Sequence, residues 1–191
     1  MGGTVSEYRF DDFAHVATAA FHAERDAADH LNQPEHVGRL LVVAGLVNDL
    51  LHRRGYDQTV IDYGCGNGGL ISLLHGHNVR GFDFTPANVA AAQAAGRNVE
   101  HRDFVEHPAS SDIAVMTEVL EHMNDPHGFL ATLDAPTLVA SVPNGETPDN
   151  HGDCHLWGWD PDGFRTMLTG AGFTPAQFVP LGHTQVWLAV R

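Results

Sequence analysis

Short apolar runs alternate along most of this chain with longer stretches in which apolar residues recur every three or four positions. The runs at Thr59–Asp62, Asn78–Phe82, Asn98–His101, Ile113–Met116 and Thr137–Val142 have the length and character of strands. Between them the period is helical. After Pro34, the residues Leu40, Leu41, Val43, Ala44, Leu46, Val47, Leu50 and Leu51 recur at helix spacing, and Gly55 closes the segment. Thr85-Pro86 opens an alanine-rich stretch that Gly96 ends. Asp125-Pro126 and Asp160-Pro161 have the form of a capping residue followed by proline, the second leading into a helix around Phe164–Leu168. This alternation predicts an α/β fold, a Rossmann-like and mostly parallel sheet with helices on both faces. Gln177–Pro180 and Thr184–Val190, joined by Leu181-Gly182-His183, read as a terminal β-hairpin. Residues from about Phe10 to Arg54 read as helical, so 1–57 is expected to be an N-terminal helical segment, a cap or lid of the same domain, whose body is 58–191. Pro143 to Trp159 reads as a loop, of a length that usually marks function or disorder.

The first strand runs into Gly64-Cys65-Gly66-Asn67-Gly68-Gly69. Glycines admit positive φ and let a ligand approach the backbone, and a helix expected after the turn would present unpaired N–H groups. The next strand ends at Asp83, about 20 residues beyond the turn, where a carboxylate can hold a ribose diol. Together the two features point to an adenosine-bearing ligand. The Gly-Cys-Gly-Asn-Gly-Gly spacing departs from Gly-x-Gly-x-x-Gly and so favours a cofactor other than a nicotinamide dinucleotide.

The 191 residues fit one domain. Acidic side chains outnumber basic ones 24 to 10, with no lysine, for a formal net charge of −14. Such a surface repels phosphate backbones, which disfavours a long polynucleotide as substrate. Cys65 and Cys154 are far apart, one of them inside the glycine turn, so no disulfide framework and a reducing, cytoplasmic setting are expected. Neither an export signal nor a membrane-spanning run is expected. The composition leaves oligomeric state open.

After the fourth run comes Thr117-Glu118-Val119-Leu120-Glu121-His122. On a helix, Glu118, Glu121 and His122 would share one face, and two carboxylates with an imidazole could hold Mg²⁺ or Mn²⁺. Equally, the glutamates could solvate a short helix while His122 packs. In the long loop, Trp157 and Trp159 read either as a lid over an aromatic substrate or as a core anchor. His22, Glu24, His30 and His36 read as helix-surface positions or as part of a lid.

The order of these motifs resembles the class I S-adenosylmethionine-dependent methyltransferases over roughly Gln58 to Arg191. Val60–Gly68 is similar to the family's first motif, Gly81–Phe84 to its second and Arg102–Phe104 to its third. The resemblance implies a seven-stranded sheet ending in the hairpin, with S-adenosylmethionine as cofactor. By resemblance, Gly64, Cys65, Gly66 and Gly68 lie against the methionine part and Asp62 orients the turn. Asp83 then holds the ribose, Phe84 packs on adenine, and Asp103 with Phe104 meets the adenine edge. The Glu-Val-Leu-Glu-His segment is similar to one in the ubiquinone-pathway phenol O-methyltransferases and the small-RNA 3′-terminal 2′-O-methyltransferases. In the latter, two glutamates and two histidines bind a metal. That implies Glu118, Glu121 and His122 as ligands, with a distal histidine that is His155 in preference to His151. The leading expectation is O-methylation, ahead of N-methylation, of a small polar or phenolic acceptor, with His122 or His155 as base. Two others stand beside it: metal-dependent 2′-O-methylation of a nucleic-acid terminus, and a non-catalytic protein that binds the cofactor for regulation.

Overall fold

In the computed structural model, which describes residues 7–10, 26 and 33–191, each predicted run becomes a strand. Strand β1 (Glu7–Arg9) and helix α1 (Pro34–Arg54) precede β2 (Thr59–Tyr63), β3 (Asn78–Asp83), α2 (Pro86–Ala94), β4 (Val99–His101) and β5 (Ile113–Thr117). Then follow α3 (Pro126–Thr132), β6 (Thr137–Pro143), β7 (Trp157–Trp159), α4 (Pro161–Gly170), β8 (Thr174–Leu181) and β9 (Thr184–Val190). The main sheet has seven strands in the order β4-β3-β2-β5-β6-β9-β8. Strands β2 to β6 within it are parallel, and β9 runs antiparallel between β6 and β8. Strand β2 has β3 on one side and β5 on the other. The connections diverge there, leaving a crevice at the carboxyl ends of these two strands.

Side chains alternate across the strands, and both faces are buried. Val60, Ile113, Val115, Val139, Val186 and Leu188 pack against Leu40, Val43, Ala44, Val47, Leu50 and Leu51 of α1. Ile61, Tyr63, Met116, Leu138 and Trp187 face Phe129, Leu130, Phe164 and Met167 of α3 and α4. Helix α1 therefore belongs to the same core as the sheet. The caps read from sequence are formed: Asp125 accepts from the Gly128 amide and Asp160 from the Gly163 amide, each at 2.8 Å, with proline at the next position.

Three expectations are corrected. No regular helix follows the glycine turn, only a 3₁₀ turn at Ile71–Leu73. Glycines at 64, 66, 68 and 69 weaken helix formation just where it would have to nucleate. Within the 1–57 segment expected to be helical, Glu7–Arg9 is a strand: β1 pairs antiparallel with β7 in the register Glu7↔Trp159 and Arg9↔Trp157. A three-residue strand is too short to show a period. The helical and lid readings of residues 11–25 and 27–32, including His22, Glu24 and His30, lie outside the described residues. Finally, the Pro143–Trp159 segment ends in β7, so it is anchored at its far end. The Trp159 indole donates to Glu7 Oε2 at 2.9 Å, and the Arg9 guanidinium lies 5.3 Å from the centre of the Trp157 ring.

Candidate functional site

The turn after β2 holds Gly64, Gly66 and Gly68 at φ of 67°, 56° and 74°, a region that a side chain resists. A Cβ on Gly64 would stand 2.6 Å from Val119 Cγ2, so the turn needs a bare backbone where it crosses the segment after β5. Asp83, at the end of β3, ties this turn to α2. Its Oδ2 accepts from the Gly66 amide at 2.7 Å, and its Oδ1 accepts from the Thr85 amide at 2.8 Å and from Asn88 Nδ2 at 3.0 Å.

Asp62 behaves differently. It is 1% exposed, and neither carboxylate oxygen has a hydrogen-bond partner among the described residues. Burial first, and the neighbouring Asp83 second, push its carboxyl up to about 8. The expectation that Asp62 orients the turn is thus not met by a bond, since Asp83 holds the Gly66 amide. Cys65 is buried in the turn, and that burial pushes its thiol well above the usual range.

Phe84 is half-buried, its ring 4.9 Å from that of Phe104 and tilted by 33°. Phe104 is a core residue, packed also on Tyr63 and Phe129. Asp103 Oδ1 accepts from the amides of Val105 and Glu106, each at 3.1 Å, and so fixes the turn after β4.

Beyond β5 the chain turns abruptly, because Glu118 adopts φ 55°. A 3₁₀ turn at Leu120–His122 follows, so the expected helical face of Glu118, Glu121 and His122 does not form. Glu118 is directed to Ser141, whose hydroxyl donates to Oε1 at 2.8 Å, while Arg39 Nη1 lies 3.8 Å from Oε2. Glu121 is fully buried, and neither of its carboxylate oxygens has a hydrogen-bond partner among the described residues. Burial, then the charge of Glu118, raises its carboxyl well above the ordinary range. Burial also raises Glu118, against the pull of Arg39 and Ser141.

Two imidazoles face Glu121, and each is held from behind. His122 Nδ1 lies 2.8 Å from the Cys154 carbonyl, which can only accept, so Nδ1 carries the proton. His155 Nδ1 lies 2.8 Å from both oxygens of Glu146 and donates to them. In the neutral tautomers the lone pairs are therefore on Nε2. The rings are 4.8 Å apart, and one ligand atom each from Glu121, His122 and His155 lies within 4.8 Å of the others. Glu118 is outside this group. Of the two distal histidines, His151 instead stacks on Phe10 at 4.0 Å between centroids. The Leu156 amide donates to the Glu121 carbonyl at 2.7 Å, stitching the long loop to the 3₁₀ turn, and Cys154 sits at φ 75° between them.

A buried carboxylate facing two imidazoles whose far nitrogens are fixed by a carbonyl and a carboxylate suits a divalent cation. The donors at hand fit the group that the sequence suggests, with Glu146 as an orienting residue that sequence reasoning missed. Glu146 stands in an aperiodic loop, and nothing near it in sequence marks it. Arg39 was also missed, although a cation on the apolar stripe of α1 was a legible signal. Trp159 is wholly buried against Phe164, a core anchor, whereas Trp157 is half-buried with its indole donating to the Met123 carbonyl at 2.9 Å. A cavity of about 510 Å³ opens beside this cluster, between α1, the segment after β6 and the β8–β9 turn. Among the described residues no helix is long and apolar enough to cross a membrane.

The chain matches the family described as a methyltransferase domain over residues 35–177. It is 36% identical over 83 residues to a ubiquinone biosynthesis O-methyltransferase of Colwellia psychrerythraea, a match covering 37% of this chain and about a third (34%) of that relative. Its fold is similar to that of magnesium protoporphyrin IX methyltransferase from Synechocystis PCC 6803 with bound SAM, at TM-score 0.69 and 19% identity, covering 94% of this chain and 97% of the other. It is also similar to the methyltransferase domain of bacterial CtHen1, at TM-score 0.63 and 20% identity, covering 82% of this chain and 100% of that one.

Proposed function

The chain belongs to the S-adenosylmethionine-dependent methyltransferases, and we propose that it methylates a hydroxyl oxygen of a small polar or phenolic acceptor, with Mg²⁺ or Mn²⁺ beside that hydroxyl. The observation that carries the oxygen and metal reading is Glu121: a fully buried carboxylate, without a hydrogen bond among the described residues, that faces two pre-oriented imidazoles. An isolated buried charge is costly, so such a group calls for a proton or a cation. The relative from Colwellia, named as an O-methyltransferase, supports the choice of oxygen.

S-adenosylmethionine supplies, when bound, an electrophilic methyl group on a sulfonium. We assign its binding to the turn Gly64–Gly68, including Cys65, to Asp83 at the ribose and to Phe84 beside the adenine, with Asp103 and Phe104 forming the adenine end. Asp62 has the character needed to meet the α-ammonium of the methionine part, since a cation there would ionise a carboxyl that burial otherwise keeps neutral. Holding the acceptor oxygen in line with the methyl carbon supplies much of the acceleration, because the loss of freedom is met on binding. A divalent cation held by Glu121 and the Nε2 atoms of His122 and His155 would lower the pKa of an adjacent hydroxyl. In its absence the same Nε2 atoms are the bases within reach, since each Nδ1 is committed to donation. The acidic, lysine-free chain fits a small acceptor better than a long polyanion, and its two free cysteines fit a reducing compartment.

Calorimetric titration of metal-stripped protein with S-adenosylmethionine, then with Mn²⁺, tests this reading, alongside S-adenosylhomocysteine formation over a panel of phenols and amines. A cofactor event, a second metal event and turnover of phenols are expected. Turnover of amines alone would overturn the choice of oxygen, and cofactor binding with no metal event would remove the cation.

A further inference from the structure

Arg39 lies on α1 next to the core residues Leu40 and Val43, and it is 5% exposed. A guanidinium carries five N–H donors and needs acceptors when buried. Among the described residues Arg39 forms an ion pair with the Glu118 carboxylate, 3.8 Å from Nη1 and beyond hydrogen-bond length, it acts on the Glu121 carboxylate through charge alone, and its Nε donates to nothing. Glu118 is in turn engaged by Ser141. A buried cation so poorly provided for is rare, because desolvating it costs more than one long ion pair returns. Arg39 also forms part of the wall of the cavity of about 510 Å³, together with Glu118, Asn144, Glu146, His183 and Thr184. Glu146 is the residue that holds His155. The cavity therefore adjoins the group proposed to handle the acceptor hydroxyl.

We propose that Arg39 is the anion-binding residue of this cavity and that the acceptor carries a carboxylate as well as the hydroxyl that is methylated. The consequence for the acceptor rests on the methyl-transfer reading above, whereas the anion site itself does not. A planar fork of donors matches a carboxylate through two parallel hydrogen bonds. A singly charged group also suits the cavity better than a doubly charged phosphate, because Glu118 and Glu146 already line it. Asn144 and Thr184 offer neutral polar groups that can orient the rest of the acceptor.

The test is titration of the full chain with benzoate, with its neutral isostere benzamide and with inorganic phosphate, followed by calorimetry or NMR. Benzoate is expected to bind at least about tenfold more tightly than benzamide, and Arg39→Met to abolish that preference, as loss of a charge-assisted pair should. Equal affinity for benzoate and benzamide, or an unchanged preference in Arg39→Met, would overturn the proposal, and tighter binding of phosphate would overturn the carboxylate. If Arg39→Met does not fold, Arg39→Lys decides: it keeps the charge but not the fork, so benzoate should weaken while the melting temperature holds, and unchanged benzoate affinity counts against the proposal. Repeating the titration on metal-stripped protein and on Glu121→Ala separates the two readings. Benzoate binding should persist in both, so a failure of the metal reading leaves the anion site standing, and the reverse.

Discussion

Asp83 and Glu121 are both buried carboxylates at the crevice, and the chain treats them in opposite ways. Asp83 accepts N–H groups from Gly66, Thr85 and Asn88, all within 17 residues of it. Glu121 has no hydrogen-bond partner among the described residues, and the imidazoles beside it are oriented from Cys154 and Glu146. The turn around Asp83, which we assign to the cofactor, is thus completed largely by nearby backbone, while the group around Glu121, which we assign to the acceptor, is assembled from distant segments. Asp62 shows that the division is not absolute: it lies in β2 just before the same turn, yet it too has no hydrogen-bond partner among the described residues. On the proposed reading, the contrast teaches that a buried carboxylate without a hydrogen bond is where a bound ligand brings the cation.

Breaking the contrast at Glu121 should have the largest effect. Glu121→Ala is expected to remove the metal event and to lower phenol turnover by about a hundredfold or more while cofactor affinity holds. Its melting temperature should hold or rise, because a buried carboxyl with no hydrogen bond and only a 3.9 Å contact to His122 Nε2 is lost. A fall of several degrees would mean that Glu121 has a structural partner and would break the comparison.

The pH dependence of stability sharpens it at Asp62. Its folded-state value, about 8, lies above the ordinary 3.8. The stabilisation linked to this group is therefore fully present below about pH 4 and is lost as pH rises through about 8, by several kcal/mol in total. Urea melts of the unliganded chain between pH 5 and 8.5 should show this decline, to which the raised carboxyls of Glu118 and Glu121 add with the same sign, and Asp62→Asn should make it shallower. Cofactor affinity should move the other way, rising with pH in the native chain and not in the variant.

Asp83→Ala removes acceptors from three donors and should cost roughly 3 kcal/mol of stability as well as cofactor binding. A variant with native stability and weak cofactor binding would mean that its bonds to the turn contribute little. Glu146→Gln keeps the shape but weakens the hold on His155, and should reduce Mn²⁺ affinity by about tenfold. The smallest effect is expected outside the site. Glu7→Gln weakens contacts to Trp159 and His127, so denaturant melts should shift by about 1 kcal/mol or less.

The turn after β2, the carboxylate that ends β3 and the helix caps were legible because their cues are local. A strand entering Gly64–Gly69, a carboxylate ending the next strand and proline after Asp125 and Asp160 each announce a conformation within a few residues. The helix expected after the turn failed for a local reason as well, its excess of glycine. The pairing of β1 with β7 was not legible, since three residues show no period and the partner lies far along the chain.

The sequence by itself determined the alternation of strands and helices, the caps, the turn and the chemical types gathered near the ends of the strands, all of which depend on short-range backbone preference and side-chain identity. The resemblance already preferred His155 to His151, but tertiary structure alone decided how closely His155 approaches Glu121 and His122, that Glu118 turns to Ser141 and Arg39, and that Glu146 orients a ring nine positions away. Those choices follow from a positive φ at Glu118 and Cys154 and from packing across the sheet. Hydrogen-bond geometry and burial are properties of the closed fold, and no local pattern of residues encodes them.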